Sequence, residues 1–208
     1  MRDPNQPEDS GSFLAPALLT GTSAEFMGRK PLPRVLRERR VIFVLGPKGV
    51  GKSSVARALM PGDRLELERS QIEHAMLERV RDARWAEALL AARALLLDGP
   101  VWLRNRRGAV TLLLELGRVR ANAGRRTVFC QVETDGSIEE LISLTEPGSA
   151  AVVGLRFPTG RTSRLRCARE MCDLHGLPHG VADGSEALDP WRYDRLEAFL
   201  VERAWRTP

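Results

Sequence analysis

An α/β fold built on a parallel sheet is predicted by three observations. Short apolar, β-branched runs alternate with stretches of helical periodicity along most of the chain. One of those runs, Val41-Ile42-Phe43-Val44-Leu45, leads straight into Gly46-Pro47-Lys48-Gly49-Val50-Gly51-Lys52-Ser53, a complete G-x-x-x-x-G-K-S loop. A helix-forming stretch, Ser53-Ser54-Val55-Ala56-Arg57-Ala58-Leu59, leads out of it. The 208 residues hold one domain with appendages, enough for a sheet of about five strands covered by helices on both faces.

The loop predicts chemistry as well as geometry. Small glycines let consecutive backbone N–H groups curl around phosphate oxygens, and the helix that follows points its positive end at them. Gly46, Gly49 and Gly51 are the expected cradle, with Pro47, Lys48, Val50 and Ser54 completing the contact set. Lys52 is expected to reach the β/γ-phosphates and Ser53 to hold Mg²⁺. Composition sharpens this. The chain has three lysines, Lys30, Lys48 and Lys52, and arginine supplies nearly all other positive charge. Two of the three lie in the loop, where a compact ammonium suits a phosphate cradle better than a guanidinium does.

Hydrophobic residues at 43% and charged residues at 28% are ordinary for a globular protein. No apolar run approaches the ~18 residues of a membrane span. The N-terminus, Met1 to Asp9, lacks the apolar core of a signal peptide, so the cytoplasm is the expected compartment. A net charge of +5 makes nucleic acid a candidate partner, discounted here because arginine replaces lysine throughout. The cysteines are Cys130, Cys167 and Cys172, an odd number that fits a reducing interior. Cys167, Cys172, His175 and His179 resemble a set of zinc ligands only on paper. The two cysteines are five apart on an expected helix and so point in different directions.

Along the chain, residues 1–24 read as a mostly disordered arm, although the apolar run Phe13–Leu19 could dock. After the loop helix, Pro61-Gly62-Asp63 is a turn and Arg64–Glu68 a short strand. Ile72, Ala75, Met76 and Val80 follow helical spacing, and a second helical piece covers Trp85–Ala92. Ala94-Leu95-Leu96-Leu97-Asp98 is a strand ending in a carboxylate. A long helix spans about 108–123, and Thr127–Val132 is a buried strand. A short helix at Ile138–Leu144, a strand at Ala150–Phe157, a basic helix at Arg161–His175 and a last helix from about Pro190 to Arg206 complete the series. The expected organisation is thus an arm over 1–24, a core over 25–158 and a helical segment over 159–208.

Asp98, at the carboxyl end of an apolar strand, is placed to share Mg²⁺ with Ser53, mostly through water. The next residues are Gly99 and Pro100, which cannot polarise an attacking water. Hydrolysis is therefore slow, or the base lies elsewhere, or the γ-phosphate passes to another acceptor.

The order of elements resembles a family. Phe26-Met27-Gly28-Arg29 looks like the hydrophobic-hydrophobic-Gly-Arg box that contacts adenine upstream of the loop in AAA+ and signal-transduction NTPases. The layout from Arg64 to Phe157 is similar to AAA+ ATPases of the replication-initiator and helicase-loader type. The resemblance covers roughly residues 25–176. It implies a three-layer P-loop fold with a short C-terminal helical appendage, ATP as ligand, Gly28 and Arg29 near the base, Asp98 as the Walker B carboxylate and Gln131 as the polar sensor of the γ-phosphate. Gly99 stands where the family carries a catalytic Glu. No arginine lies between Ile142 and Ala150 to act in trans, and the region after Thr159 is too short to assign a lid arginine. A partner protein or DNA is implied, without a name.

A second reading is open. Asp98-Gly99-Pro100 also looks like a segment of adenylate-kinase-like phosphotransferases, with Arg161, Arg164, Arg166 and Arg169 as lid arginines and Asp63 or Glu66 orienting an acceptor hydroxyl. A third is a non-enzymatic switch in which bound nucleotide sets affinity for a partner. There the basic cluster Arg104, Arg106 and Arg107 could touch phosphate, partner or DNA.

Overall fold

The computed structural model describes residues 17–28, 33–60, 62–68, 70–72, 74, 83–99, 107–132 and 150–206. They form one six-stranded sheet from β1 (Ala17–Gly21), β2 (Val41–Gly46), β3 (Arg64–Glu68), β4 (Ala94–Asp98), β5 (Arg126–Val132) and β6 (Ala150–Leu155). The strand order is β1-β6-β2-β5-β4-β3, and every neighbouring pair is parallel. The helices are α1 (Ser23–Gly28), α2 (Arg34–Glu38), α3 (Lys52–Ala58), α4 (Ala83–Ala91), α5 (Arg107–Asn122), α6 (Arg161–His175) and α7 (Tyr193–Arg206).

The central strands are mostly apolar because both faces are covered, and the alternation reappears in which face each residue meets. Ile42, Val44, Leu96, Val128, Cys130, Ala151 and Val153 pack on one side with Phe26 of α1, Leu36 of α2 and Val55 of α3. Val41, Phe43, Leu45, Leu95, Leu97, Phe129 and Val152 pack on the other with Leu113 of α5. Phe43 and Phe129 are opposite in the β2–β5 register and stack with centroids 5.1 Å apart. This is the three-layer α/β architecture the alternation predicts.

The sixth strand is the main departure. Residues 17–21, within the stretch read as an arm, pair with β6 in parallel register from Ala17↔Ala151 to Gly21↔Leu155. An edge strand has one neighbour and one open side, and Leu18 is 64% exposed. Such a strand needs neither a long apolar run nor strict alternation, so its sequence signal is faint. The helix expected over 138–144 lies outside the described residues, as do most positions of the one expected through Val80.

The C-terminal segment has its own core. Cys167, Ala168, Met171 and Cys172 of α6 pack with Leu196 and Leu200 of α7, Val181 and Ala182 of a 3₁₀ turn at His179–Ala182, and Ala24 of α1. Ala24 ties this cluster to α1. Both cysteines are thus core residues, while His175 and His179 are exposed and His179 Nε2 faces Asp173 Oδ1 at 2.7 Å. Burial pushes the Cys167 thiol up to about 12.

Candidate nucleotide-binding site

In an open parallel sheet, ligands bind beyond the carboxyl ends of the strands where the connections change direction. Here that point is β2, with β6 on one side and β5 on the other. The glycine loop emerges there. Gly49 and Gly51 hold φ of +80° and +88°, a region that β-carbon-bearing residues avoid. Neither site has room for a side chain. A Cβ on Gly49 would come within 2.5 Å of Arg192 Nε, and one on Gly51 within 2.7 Å of Ser23 Oγ.

Lys52 lies across the loop. Its Nζ donates to the carbonyls of Gly46 at 3.1 Å and Pro47 at 2.8 Å. Burial lowers its pKa, an effect opposed by the nearby Cys130 and Asp98. The ammonium therefore rests on two main-chain oxygens of the loop. Ser53 follows in the first turn of α3, half-buried, as is Asp98 at the end of β4. Two hard oxygen donors at the phosphate end of the sheet fit Mg²⁺. Pro47, Lys48, Val50 and Ser54 surround them in the loop and the start of α3.

β5 lies between β2 and β4, with Asp98 opposite Cys130 and Gln131 opposite Leu45, one step before the Gly46↔Val132 pair. The backbone thus brings Gln131 to the loop end of the sheet. Gly99 follows Asp98 with φ of +69°, and its N–H donates to the Cys130 carbonyl at 3.1 Å.

Several residues sit elsewhere than the sequence suggests. Gly28 ends α1 exposed, with no heavy atom within 4 Å of where its Cβ would stand, and Arg29 lies outside the described residues. Phe26 is buried in the core. Arg104 and Arg106 also lie outside the described residues. Asp63 precedes β3 at the opposite end of the sheet and pairs with Arg93 at 3.2 Å, so it cannot orient an acceptor at the loop. Glu66 is bound by Arg57. Of the four arginines read as a lid, Arg161 and Arg164 bond Glu186 and Arg169 reaches Asp183. These are contacts within the C-terminal segment.

The structure also supplies loop partners that sequence reasoning missed. Ser23 Oγ donates to the Val50 carbonyl. The backbone N–H of Tyr193 donates to the Gly49 carbonyl at 2.7 Å, and the Tyr193 ring lies against Gly51. Arg192 lies over Gly49 while its guanidinium pairs with Asp194 at 3.0 and 2.6 Å. A small cavity beside the loop is lined by Ser23, Val50, Phe157, Cys167, Trp191 and Tyr193, and the buried Trp191 Nε1 has no hydrogen-bond partner among the described residues. The only sequence signal for these residues is a Pro190 helix start about 140 residues downstream of the loop.

No family model matches the chain, and no curated protein matches it. Solved structures do. Domain III of the Thermotoga maritima replication initiation protein DnaA superposes with a TM-score of 0.58 at 17% identity, over 85% of this chain and 78% of that one. A replication initiator DnaA bound to AMPPCP and single-stranded DNA gives 0.60 at 16% identity, over 86% of this chain and 59% of that one. AMPPCP-bound DnaA from Aquifex aeolicus gives 0.54 at 17%, over 74% and 52%. The chain has the AAA+ P-loop fold. At such identities the likeness is one of fold, and this chain spans little more than half of the two longer DnaA chains. In this fold β2 through β6 form the sheet, β1 adds an edge to it, and the start of α7 contacts the loop at Gly49.

Proposed function

We propose that the chain binds ATP with Mg²⁺ and works as a slow ATPase or a nucleotide-dependent switch on a protein or DNA partner. One observation carries the reading: a glycine-built loop with Lys52 laid across it and the start of α7 docked on Gly49. Loop amides from Gly46 to Ser54 would take the phosphate oxygens. Lys52 would leave its two carbonyls for the β/γ-phosphates. Ser53 and Asp98 would hold the ion, which draws charge from the phosphates. Gln131 would sense the γ-phosphate, and Arg192 would trade Asp194 for it. Gly28 and Arg29 are assigned to the base side by family resemblance alone. Gly99 offers no side chain to orient water, which favours a long-lived ATP state. DnaA chains of this fold captured with AMPPCP and with single-stranded DNA support ATP as ligand and DNA among the candidate partners. No helix among the described residues is long and apolar enough to cross a membrane, which is compatible with the cytoplasmic placement proposed here. We divide the chain functionally into a 25–158 core and a 159–208 segment that reports the state of the loop.

The test is the fate of the γ-phosphate. Protein with Mg²⁺ and γ-labelled ATP is resolved into free phosphate, bound ATP and labelled acceptors, with Lys52→Ala as control. Slow release to water, or label retained on bound ATP, is expected from the wild type, and neither from the variant. Label on a nucleoside monophosphate would replace this reading with the phosphotransferase one. Equal nucleotide retention by Lys52→Ala would overturn both.

A further inference from the structure

The end of the sheet opposite the loop gathers guanidinium groups that the nucleotide site does not use. All strands enter at this edge, so the residues just before them lie side by side. Arg40 precedes β2, Arg125 precedes β5, Arg93 precedes β4 and Asp63 precedes β3. The Thr127 N–H donates to the Arg40 carbonyl at 2.8 Å, and Ala94 pairs with Arg126. Arg40, one step before the Val41↔Thr127 pair, therefore lies opposite Arg126, and Arg125 is the next residue back on that neighbouring chain segment, with the two segments about 4.8 Å apart. Helix α2 is stitched to the same edge, because the Arg126 guanidinium donates to the carbonyls of Leu36 at 3.2 Å and Arg37 at 2.8 Å.

Among the described residues, charge at this edge is not balanced. The acids among the described residues are Glu38, paired with Arg34 at 2.5 Å, and Asp63, paired with Arg93 at 3.2 Å. Glu38 also feels the fields of Arg39 and Arg37. Arg126 is committed to main-chain carbonyls, including Leu59 at 2.8 Å. That leaves Arg37, Arg39, Arg40 and Arg125 with no ion-pair partner among the described residues. Arg37 and Arg40 are exposed, and the buried Nε of Arg39 has no acceptor among the described residues. Like charges held together in this way repel unless an anion joins them.

We propose that this edge docks the phosphodiester backbone of a nucleic acid through Arg37, Arg39, Arg40 and Arg125. The planar guanidinium fork matches phosphate oxygens bidentately, and a row of such forks can follow successive phosphates along one strand. Backbone contacts position without reading bases, so binding is insensitive to sequence. The surface lies at the far end of the strands from the loop, so it stands independently of the ATP reading.

The test is fluorescence anisotropy of labelled single-stranded DNA, duplex DNA and RNA oligonucleotides of mixed sequence with the full chain, over about 50–300 mM salt. Four phosphate contacts predict a slope of log affinity against log salt of about −3.6 on duplex and about −2.8 on single strands. The double variant Arg37→Gln/Arg40→Gln should flatten the slope by nearly 2, about 1 per residue. The quadruple Gln variant should abolish binding yet retain affinity for a fluorescent ATP analogue. Arg166→Gln/Arg206→Gln, equal in charge and remote, should bind oligonucleotide like the wild type. The proposal fails if the double variant matches the wild type in slope, if the remote variant loses as much, or if no oligonucleotide binds at the lowest salt. Capture by anionic vesicles without oligonucleotide binding would assign the edge to a membrane surface instead.

Discussion

The backbone N–H of Tyr193 donates to the carbonyl of Gly49 at 2.7 Å, joining the first residue of α7 to the middle of the glycine loop. The Tyr193 hydroxyl, with its pKa driven up by burial, donates to Met171 Sδ at 3.0 Å and also meets Met27 Sδ at 3.5 Å. One residue thus holds the loop, α6 and α1 together, so a movement of Gly49 would be passed to all three.

Arg192 is the residue placed to respond. Arg192→Ala is expected to weaken ATP about tenfold, roughly 1.4 kcal/mol, and ADP much less. Competition of each nucleotide against a fluorescent analogue measures this. Equal losses for ATP and ADP would show that Arg192 does not reach the γ-phosphate.

Gly99→Glu should raise ATP hydrolysis several-fold by supplying a carboxylate beside Asp98. Gly99 has φ of +69°, so the substitution should also cost about 1–2 kcal/mol of stability. Phosphate release is therefore compared well below the thermal midpoint. An unchanged rate in folded protein would mean that the water sits elsewhere.

Arg120 is fully buried and makes no ion pair among the described residues. Its guanidinium donates to Thr127 Oγ1 at 2.9 Å, to the Arg126 carbonyl at 3.0 Å and to the Leu89 carbonyl, stapling α5 to β5 and α4. Burial lowers its pKa to about 10, so it stays charged at neutral pH. Arg120→Met should destabilise the fold by about 2–4 kcal/mol through lost charge-assisted bonds and stranded carbonyls. A urea midpoint shift worth under about 0.5 kcal/mol would refute the staple.

Glu66 ties β3 to Arg57 at the end of α3, with Nε–Oε1 of 3.0 Å. The Arg57 hydrogen bond holds the Glu66 pKa below the usual carboxylate value. Its contribution is therefore complete above the ordinary Glu pKa and is lost as pH falls through the lowered folded value. The pair is partly exposed, so the effect is about 0.5–1 kcal/mol. Glu66→Gln should flatten stability against pH in that acid window and lower stability by the same amount at pH 7. Parallel wild-type and variant curves would show the pair to be inert.

The local order of the fold was legible because its causes are local. β2, β3, β4 and β5 announce themselves as short apolar or alternating runs, and Gly46–Ser53 carries its backbone requirement in its glycines. The sequence alone therefore determined the α/β class and the glycine loop, and it singled out Lys52, Ser53 and Asp98 as the residues proposed to act there. Tertiary structure decided what depends on separations of many residues. It paired β1 with β6, and set Arg192 and Tyr193 on a loop about 140 residues earlier in the chain. It also sent Asp63 to the far edge, and gathered Arg37, Arg39, Arg40 and Arg125 where no periodicity links them. A parallel sheet puts every strand start on one edge and every strand end on the other. Residues far apart in sequence become neighbours through strand order, which no short window of sequence encodes.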